Sequence, residues 1–519
     1  MPAPALNATN WKLNWPVLAI VIYTGLLASQ LFNFVTSDLG RHIQNGRVIL
    51  DTGQVFATNL YSYTSSQFAA INHHWLFGVL MAALEPLVGI PGLSVIGVTL
   101  LMGSVALTAR LTLKSYSPAV TALALFIALP LICLRVEIRP ELFSLFFVAL
   151  YRIILDHIEE VGLTKRTALT LLVTQVIWTN LHLFFIFGPI LVGYSWLRSA
   201  HSPSRFKHIG LLLAGTTLVT LINPHFWQGV VAPLLIFENY GYQIAENQTL
   251  WFIANRTHEP VYFYGLLVIS LVLIGTVMKL IGQKKALLAY LPTTLIICCF
   301  GGLALAVNRA LPFIGLLVVP ALAEWLASAL PKLTDWRRRT ASHPGWLSGL
   351  SLLGFGGIAI VLSSGIFTPK LARYGLGAAP GHLDAVTFFK QLRLRGPIFN
   401  NYDNGGYLIY YLYPSERVFV DNRPEAYPAD FFEQTYIAAQ ESETRWKELE
   451  EEHQFNVIFF YRHDMTPWAQ PFLVRRLDDP TWVPIYVDGY SLILIKNKPE
   501  HTPIIDQWRI SRDRFTVVK

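Results

Sequence analysis

With 519 residues, 53% of them hydrophobic and only 14% charged, the chain holds about half the charged fraction of a soluble globular protein. That excludes a soluble enzyme and points to a polytopic membrane protein. The formal net charge of +7 is spread in small Lys/Arg groups between apolar runs, which excludes nucleic acid as a partner and marks topology instead.

The first apolar run, 15–35, is long enough to cross a bilayer and too long for a cleavable signal core, so it reads as a retained first span. Ser37-Asp38-Leu39-Gly40-Arg41-His42 comes directly after it. A carboxylate at the mouth of a span is costly unless it is paired, hydrated or used. Asp38 is therefore the leading candidate for a functional residue, and its competing role is the N-cap of a helix over 39–49. Residues 36–92 form a long loop. Within it, 73–88 is apolar but short, opens on His73-His74 and contains Glu85 and Pro86. It is expected to lie re-entrant or along the surface.

With 73–88 not crossing, further spans fall at 91–109, 118–134, 142–155, 167–181, 183–197, 209–222, 261–278, 286–306, 310–328 and 346–366. This alternation sets Lys12, Arg110, Lys114, Lys165, Arg166, Arg198, Arg205, Lys207, Lys279, Lys284, Lys285, Lys332 and Arg337-Arg338-Arg339 on the cytoplasmic side, as Lys/Arg bias requires. The total is about eleven spans. The opposite face then collects Asp38, Arg41, Arg47, Arg135, Glu137, Arg139, Glu141, Asn180, His182, Glu238, Glu246 and Arg309. Ionisable groups beside apolar sequence mark sites, and their gathering at one face suits a ligand cavity rather than a proton path.

Several of these residues have plainer roles open to them. Asn180 and His182 can satisfy a kink between helices, Arg139-Pro140-Glu141 can be a span boundary with an internal ion pair, and His73-His74 can be the polar start of an interfacial helix. Glu238 and Glu246 bracket Tyr240 and Tyr242 in a loop that is either a cavity cover or merely solvated. Cys133, Cys298 and Cys299 lie in apolar runs without pairing or metal spacing, so burial is expected and disulfides are not.

From residue 381 the composition changes, and 381–519 reads as a separate α/β domain beside a transmembrane domain of 1–367 that includes the loop 36–92. Strand-length runs are Pro397-Ile398-Phe399, Arg417-Val418-Phe419-Val420, Asn456-Val457-Ile458-Phe459-Phe460 and Ser491-Leu492-Ile493-Leu494-Ile495, with helix expected over 429–453. Asp488-Gly489 between two β-rich runs signals a hairpin. The Asn- and Gly-rich stretch 400–407 and Asp421-Asn422-Arg423 read as turn chemistry, with contact to a sugar or acceptor as the alternative. No G-x-G-x-x-G is present, which removes a dinucleotide-binding reading.

The ordered motifs resemble the GT-C superfamily of membrane glycosyltransferases, which includes protein O-mannosyltransferases, oligosaccharyltransferase catalytic subunits and lipid A aminoarabinose transferases. The matching parts are Ser37-Asp38-Leu39-Gly40-Arg41, Leu60-Tyr61-Ser62-Tyr63-Thr64, His73-His74-Trp75-Leu76, Arg139-Pro140-Glu141-Leu142-Phe143, Trp178-Thr179-Asn180-Leu181-His182 and Asn223-Pro224-His225, and then the C-terminal domain. The resemblance implies an inverting hexosyl- or pentosyltransferase. Its donor is a sugar on a polyprenyl-phosphate carrier, and its acceptor is a lipid, glycan or protein at the outer face. It implies Asp38 as the general base. Substrate contacts are expected from Arg41, His73, His74, Arg135, Glu137, Arg139, Glu141, Asn180, His182, Glu246 and Arg309, with Arg135, Arg139 and Arg309 facing the departing phosphate.

The chain departs from the superfamily pattern in carrying one acid after the first span, so Glu137 or Glu141 would supply the second. A divalent cation on Asp38, Glu137 and Glu246 is accordingly open but not favoured. The expected location is a bacterial inner membrane, multi-pass, with the C-terminal domain extracytoplasmic. The rival classes are a transporter or lipid flippase, which the lack of internal repeats and mid-span charges disfavours, and a non-catalytic glycan-binding member of the same fold.

Overall fold

A computed structural model describes residues 14–235, 240–282, 287–330 and 373–515. The expected span 346–366, Glu238, Lys12, Lys284, Lys285, Lys332 and Arg337-Arg338-Arg339 lie outside the described residues. The chain divides into two compact units. One comprises Met1–Gln30, Gly92–Ile236 and Ile244–Leu376, and the other Leu31–Pro91, Phe237–Gln243 and Gly377–Lys519.

The first unit is helical. Its helices include Trp15–Ala28, Pro118–Ile132, Pro140–Val161, Lys165–Leu181, Phe187–Arg198, Pro203–Leu218, Pro260–Gly282 and Leu287–Ala306, so most of the described apolar runs become helix, but the expected first span 15–35 is helical only as far as Ala28. Four of these begin on proline, whose fixed φ suits the first helical position and whose missing N–H would have no partner there anyway. Among the described residues, three helices are long and apolar enough to cross a membrane. They are Trp75–Leu113, Leu183–His201 and Pro260–Gly282, and the pair Asn308–Leu317 and Val319–Ala329, bent by 51°, makes a fourth if it is counted as one span. Within Trp75–Leu113 the helix breaks at Gly89, whose φ of 65° and ψ of 178° only glycine adopts readily, so 75–88 is a separate helical piece from 90–113.

Burial of the cysteines is corrected. Cys133 is buried, but Cys298 is half-buried and Cys299 exposed.

The second unit is built on a four-stranded sheet of order β1-β2-β4-β3, with β1 Ile398–Asn400, β2 Val457–Tyr461, β3 Trp482–Val487 and β4 Ser491–Lys496. β1 and β2 are parallel, and the other pairings are antiparallel, β3 and β4 forming the hairpin around Asp488-Gly489. One face is aromatic: Phe399, Trp446, Phe455 and Phe472 pack edge-to-face and stacked at ring distances of 4.9–5.5 Å.

Two expectations fail in this unit. Residues 417–420 are not a strand, because side chains and a loop take the hydrogen bonds a neighbouring strand would have made. Phe419 N–H donates to Asn400 Oδ1 (2.9 Å) and Asn400 Nδ2 donates to Val420 O (2.8 Å). Ser62 and Thr64 hydroxyls donate to Phe419 O, and Val418 exchanges backbone bonds with Tyr61 and Tyr63. The helix over 429–453 is also not continuous. It opens with a wide turn, Phe431–Ile437, and restarts at Glu443 after Ser442, whose side chain accepts from Arg445 N–H.

Candidate active site

Asp38 immediately precedes the helix Leu39–Thr52, but its side chain caps nothing. The first N–H is met by Ser37, with Leu39 N–H donating to Ser37 Oγ at 3.1 Å. The Asp38 carboxylate turns instead to Asn422, whose Nδ2 donates to Oδ1 at 2.5 Å, and to Arg41, whose Nη2 lies 3.4 Å from the same oxygen. Arg41 Nε closes the triangle by donating to Asn422 Oδ1 at 3.0 Å. Side-chain exposure is 27% for Asp38 against 8% for Arg41, so the carboxylate is the more accessible of the two and the guanidinium sits behind it.

Asn422 is held by its neighbours. In extended chain alternate residues face opposite ways, and Asp421 and Arg423 form a bidentate pair (2.8 and 2.7 Å) beside the one that reaches Asp38. Arg423 also donates to Asn59 Oδ1 at 2.8 Å and lies over the Tyr61 ring, while Tyr427 OH donates to Asp421 at 3.1 Å. Asp421 and Arg423 are almost fully buried, and a buried pair is tolerable only when its remaining donors and acceptors are satisfied, as they are here. Burial opposes the charge on Arg423, but the attraction of Asp421 outweighs it and pushes the guanidinium pKa upward. The segment comes this close because position 405 is glycine: a Cβ there would lie 2.4 Å from Asp421 Cα and 2.5 Å from Val420 O.

A second acid, Asp403, lies within electrostatic reach of Asp38. Asp403 lies in the turn Tyr402–Asn404 ahead of the helix Gly405–Leu412. Burial, then the like charges of Asp464 and Asp38, push its carboxyl up to about 7. Asp464 is fixed by Asn401 Nδ2 (3.0 Å) and Thr466 N–H (2.9 Å). Beside this turn Tyr242 stacks on Tyr402 at 4.2 Å.

His73 and His74 line a small polar cleft together with Arg41, Asn72, Arg423 and Glu425. The His74 ring meets His42 edge-on at 5.4 Å. Asn45 Oδ1 and Asn72 Nδ2, both at this cleft, are buried without a hydrogen-bond partner. Arg47, also assigned to the outer face, is bound to Glu85 at 2.9 Å, and Tyr410 OH donates to the other Glu85 oxygen.

In the helical unit the structure gathers six of the sequence-selected residues into one network. Glu246 accepts from Arg135 Nη2 (2.5 Å) and Arg139 Nη1 (2.9 Å) at Oε1, and from Arg309 Nη2 (2.9 Å) at Oε2. Arg135 Nε also lies 3.1 Å from Glu141, and Arg139 lies 3.5 Å from Glu137. Burial works against ionisation of Glu246, but Arg135, Arg139 and Arg309 hold its carboxyl well below the usual range. At the far end of Pro140–Val161, Lys114 pairs with Asp156 and Glu160 while Arg198 and Arg205 engage Glu159, so basic residues assigned to the cytoplasmic side also meet.

Asn180 and His182 are built into the helix packing. Asn180 Nδ2 donates to Val176 O and Ile222 O (both 2.8 Å), and His182 Nδ1 shares a 2.8 Å bond with Ser144, which also accepts from Trp178. Among the described residues no group of three or more His, Cys, Asp or Glu side chains is arranged to hold a metal ion. Asn422, Asn59 and Asp403 are the residues at this site that reasoning from sequence treats as turn chemistry or passes over. The traces are the polar runs 400–407 and 421–423, each directly after an apolar one.

No family model and no curated protein matches the sequence. Solved structures do match in fold. The oligosaccharyltransferase of Archaeoglobus fulgidus in the apo form aligns with a TM-score of 0.58 at 10% identity, over 94% of this chain and 75% of that one. The same archaeon's oligosaccharyltransferase AglB, in complex with an inhibitory peptide and a dolichol-phosphate, gives 0.57 at 10% identity over 93% and 74%. ArnT from Cupriavidus metallidurans, bound to undecaprenyl phosphate, gives 0.50 at 12% identity over 94% and 98%. These neighbours are GT-C membrane glycosyltransferases, and the likeness is one of fold.

Proposed function

We propose that this chain is an integral membrane glycosyltransferase that moves a sugar from a polyprenyl-phosphate carrier to an acceptor at the outer membrane face, with Asp38 as general base. The observation that carries the reading is the state of Asp38. Its carboxylate is released from helix capping by Ser37, oriented by Asn422 and Arg41, and left partly exposed. A base must be aimed as well as ionised, and two donors on one oxygen fix the direction of the group.

In the step proposed, the acceptor oxygen attacks the anomeric carbon as Asp38 takes its proton. The bond from that carbon to the phosphate oxygen breaks, and its electron pair leaves with the carrier phosphate. Attack opposite the leaving group inverts the anomeric configuration. The departing phosphate gains charge as it leaves, and Arg135, Arg139 and Arg309 are the residues we assign to receive it. Eleven or so spans, an extracytoplasmic C-terminal domain of 381–519 and a bacterial inner membrane complete the proposal.

The test is transfer of labelled sugar from polyprenyl-phosphate carriers in membranes carrying wild type or Asp38→Asn. Transfer in the wild type that falls by about a thousandfold in the variant, with carrier binding retained, supports the reading. Undiminished turnover in Asp38→Asn overturns the base assignment, and no transfer from any carrier by folded wild type overturns the activity.

A further inference from the structure

The three arginines around Glu246 have the form of an anion site with an anion already in it. Two carboxylate oxygens sharing one negative charge accept from three guanidinium groups, Arg135 and Arg139 on Oε1 and Arg309 on Oε2. A phosphodiester offers the same pattern: two non-ester oxygens and one shared negative charge. We propose that Arg135, Arg139 and Arg309 form the seat of a lipid-borne phosphodiester, and that Glu246 is its exchangeable counter-anion, leaving the seat as the phosphate enters. The proposal rests on the reading of the donor as a phosphate-linked lipid.

Three further observations support it. First, the charges balance for exchange. A carboxylate and a phosphodiester each carry one negative charge, so trading Glu246 for the phosphate beside the three arginines leaves the net charge of the site unchanged. Second, the network is not saturated. Arg309 Nε is buried without a hydrogen-bond partner, its nearest carboxylate oxygen being Glu141 Oε1 at 3.9 Å. An unmet guanidinium N–H is costly when buried, and a tetrahedral anion has ester oxygens to offer beyond the two it shares with a carboxylate. Third, exchange needs no rearrangement of the main chain. Asn308 holds the Glu246 turn by donating from Nδ2 to Ala245 O (2.7 Å) and Gln248 O (3.2 Å). The side chain can therefore swing while its backbone stays fixed.

The full-length protein in detergent is titrated with undecaprenyl methyl phosphate (a sugar-free diester), undecaprenol and inorganic phosphate, for wild type and Glu246→Gln. The expected result is about tenfold tighter binding of the diester by the variant at low salt, with undecaprenol unchanged and inorganic phosphate weak throughout. Arg309→Gln should loosen the diester in both backgrounds. If Glu246→Gln does not fold, Glu246→Asp, which withdraws the carboxylate by one methylene, should move binding in the same direction by a smaller factor. Equal or weaker diester binding in a folded Glu246 variant overturns the exchange. Inorganic phosphate binding as tightly as the lipid overturns the lipid assignment. Because binding is read without turnover, failure of the exchange alongside Asp38-dependent transfer leaves the glycosyltransferase reading standing, whereas tighter binding without transfer separates the two in the other direction.

Discussion

Asn422 and Asp38 lie 384 positions apart in the chain and are joined by one hydrogen bond of 2.5 Å from amide to carboxylate. The contact orients the proposed base, because Arg41 braces both ends of it. Replacing Asn422 with Ala should lower kcat by roughly tenfold to a hundredfold, the usual scale for a misaimed catalytic group, and change KM for the carrier little. Steady-state transfer kinetics check this, and a change confined to KM would assign Asn422 to binding instead. Asn422→Asp should be worse than Ala, since it sets a like charge against Asp38.

The approach of that segment depends on Gly405. Gly405→Ala forces a Cβ to within 2.4 Å of Asp421 Cα, a clash with main chain that no rotamer relieves. The expected cost is about 3 kcal/mol, read as a lowered unfolding midpoint, with transfer reduced in whatever protein remains folded.

Arg423 and Asp421 are a buried pair whose loss should be asymmetric. Arg423→Ala leaves the Asp421 carboxylate buried with Tyr427 and without its cation, at a cost of about 3–5 kcal/mol. The double variant Asp421→Asn with Arg423→Met should recover much of that loss, because no uncompensated charge remains. A double-mutant cycle by chemical unfolding measures it, and additive losses would show that the pair does not act as one.

How far these relationships can be read from sequence differs by element. The helices are legible because apolar length and N-terminal proline are local properties: Pro118, Pro140, Pro203 and Pro260 each open a helix. Asp38 is legible too, as an acid where acids are costly. Residues 417–420 mislead because the amide of Asn400 and the hydroxyls of Ser62 and Thr64 satisfy their backbone. No periodicity records a hydrogen bond made by a distant side chain. Asn422 is underrated for the same reason, since its role exists only once Asp38 is beside it. Asp403 escapes notice because Asn400–Tyr407 has ordinary turn composition, and burial, which sequence does not display, is what distinguishes it.

Asp403 should give the second unit a pH dependence. Its carboxyl is raised to about 7 by burial and by Asp464 and Asp38, whereas in the unfolded chain an Asp titrates near about 4. Between those values the folded state holds a proton that the unfolded state has lost, so stability falls as pH rises from about 4 to about 7 and is level above. Asp403→Asn should remove this slope and stabilise the protein at pH 8 by on the order of 3 kcal/mol, a figure reduced for partial solvent screening. Unfolding midpoints across that range check it, and an unchanged slope in the variant would assign the dependence elsewhere.

The helix Pro140–Val161 carries ion pairs at both of its ends, Arg135 with Glu141 at the first turn and Lys114 with Asp156 and Glu160 at the last. Its 22 residues rise about 33 Å along the helix axis. A slide of a single residue along the axis would pull both sets of partners out of register together. The segment is thus tied at each end, so any displacement of it must carry both sets of partners along or break both at once.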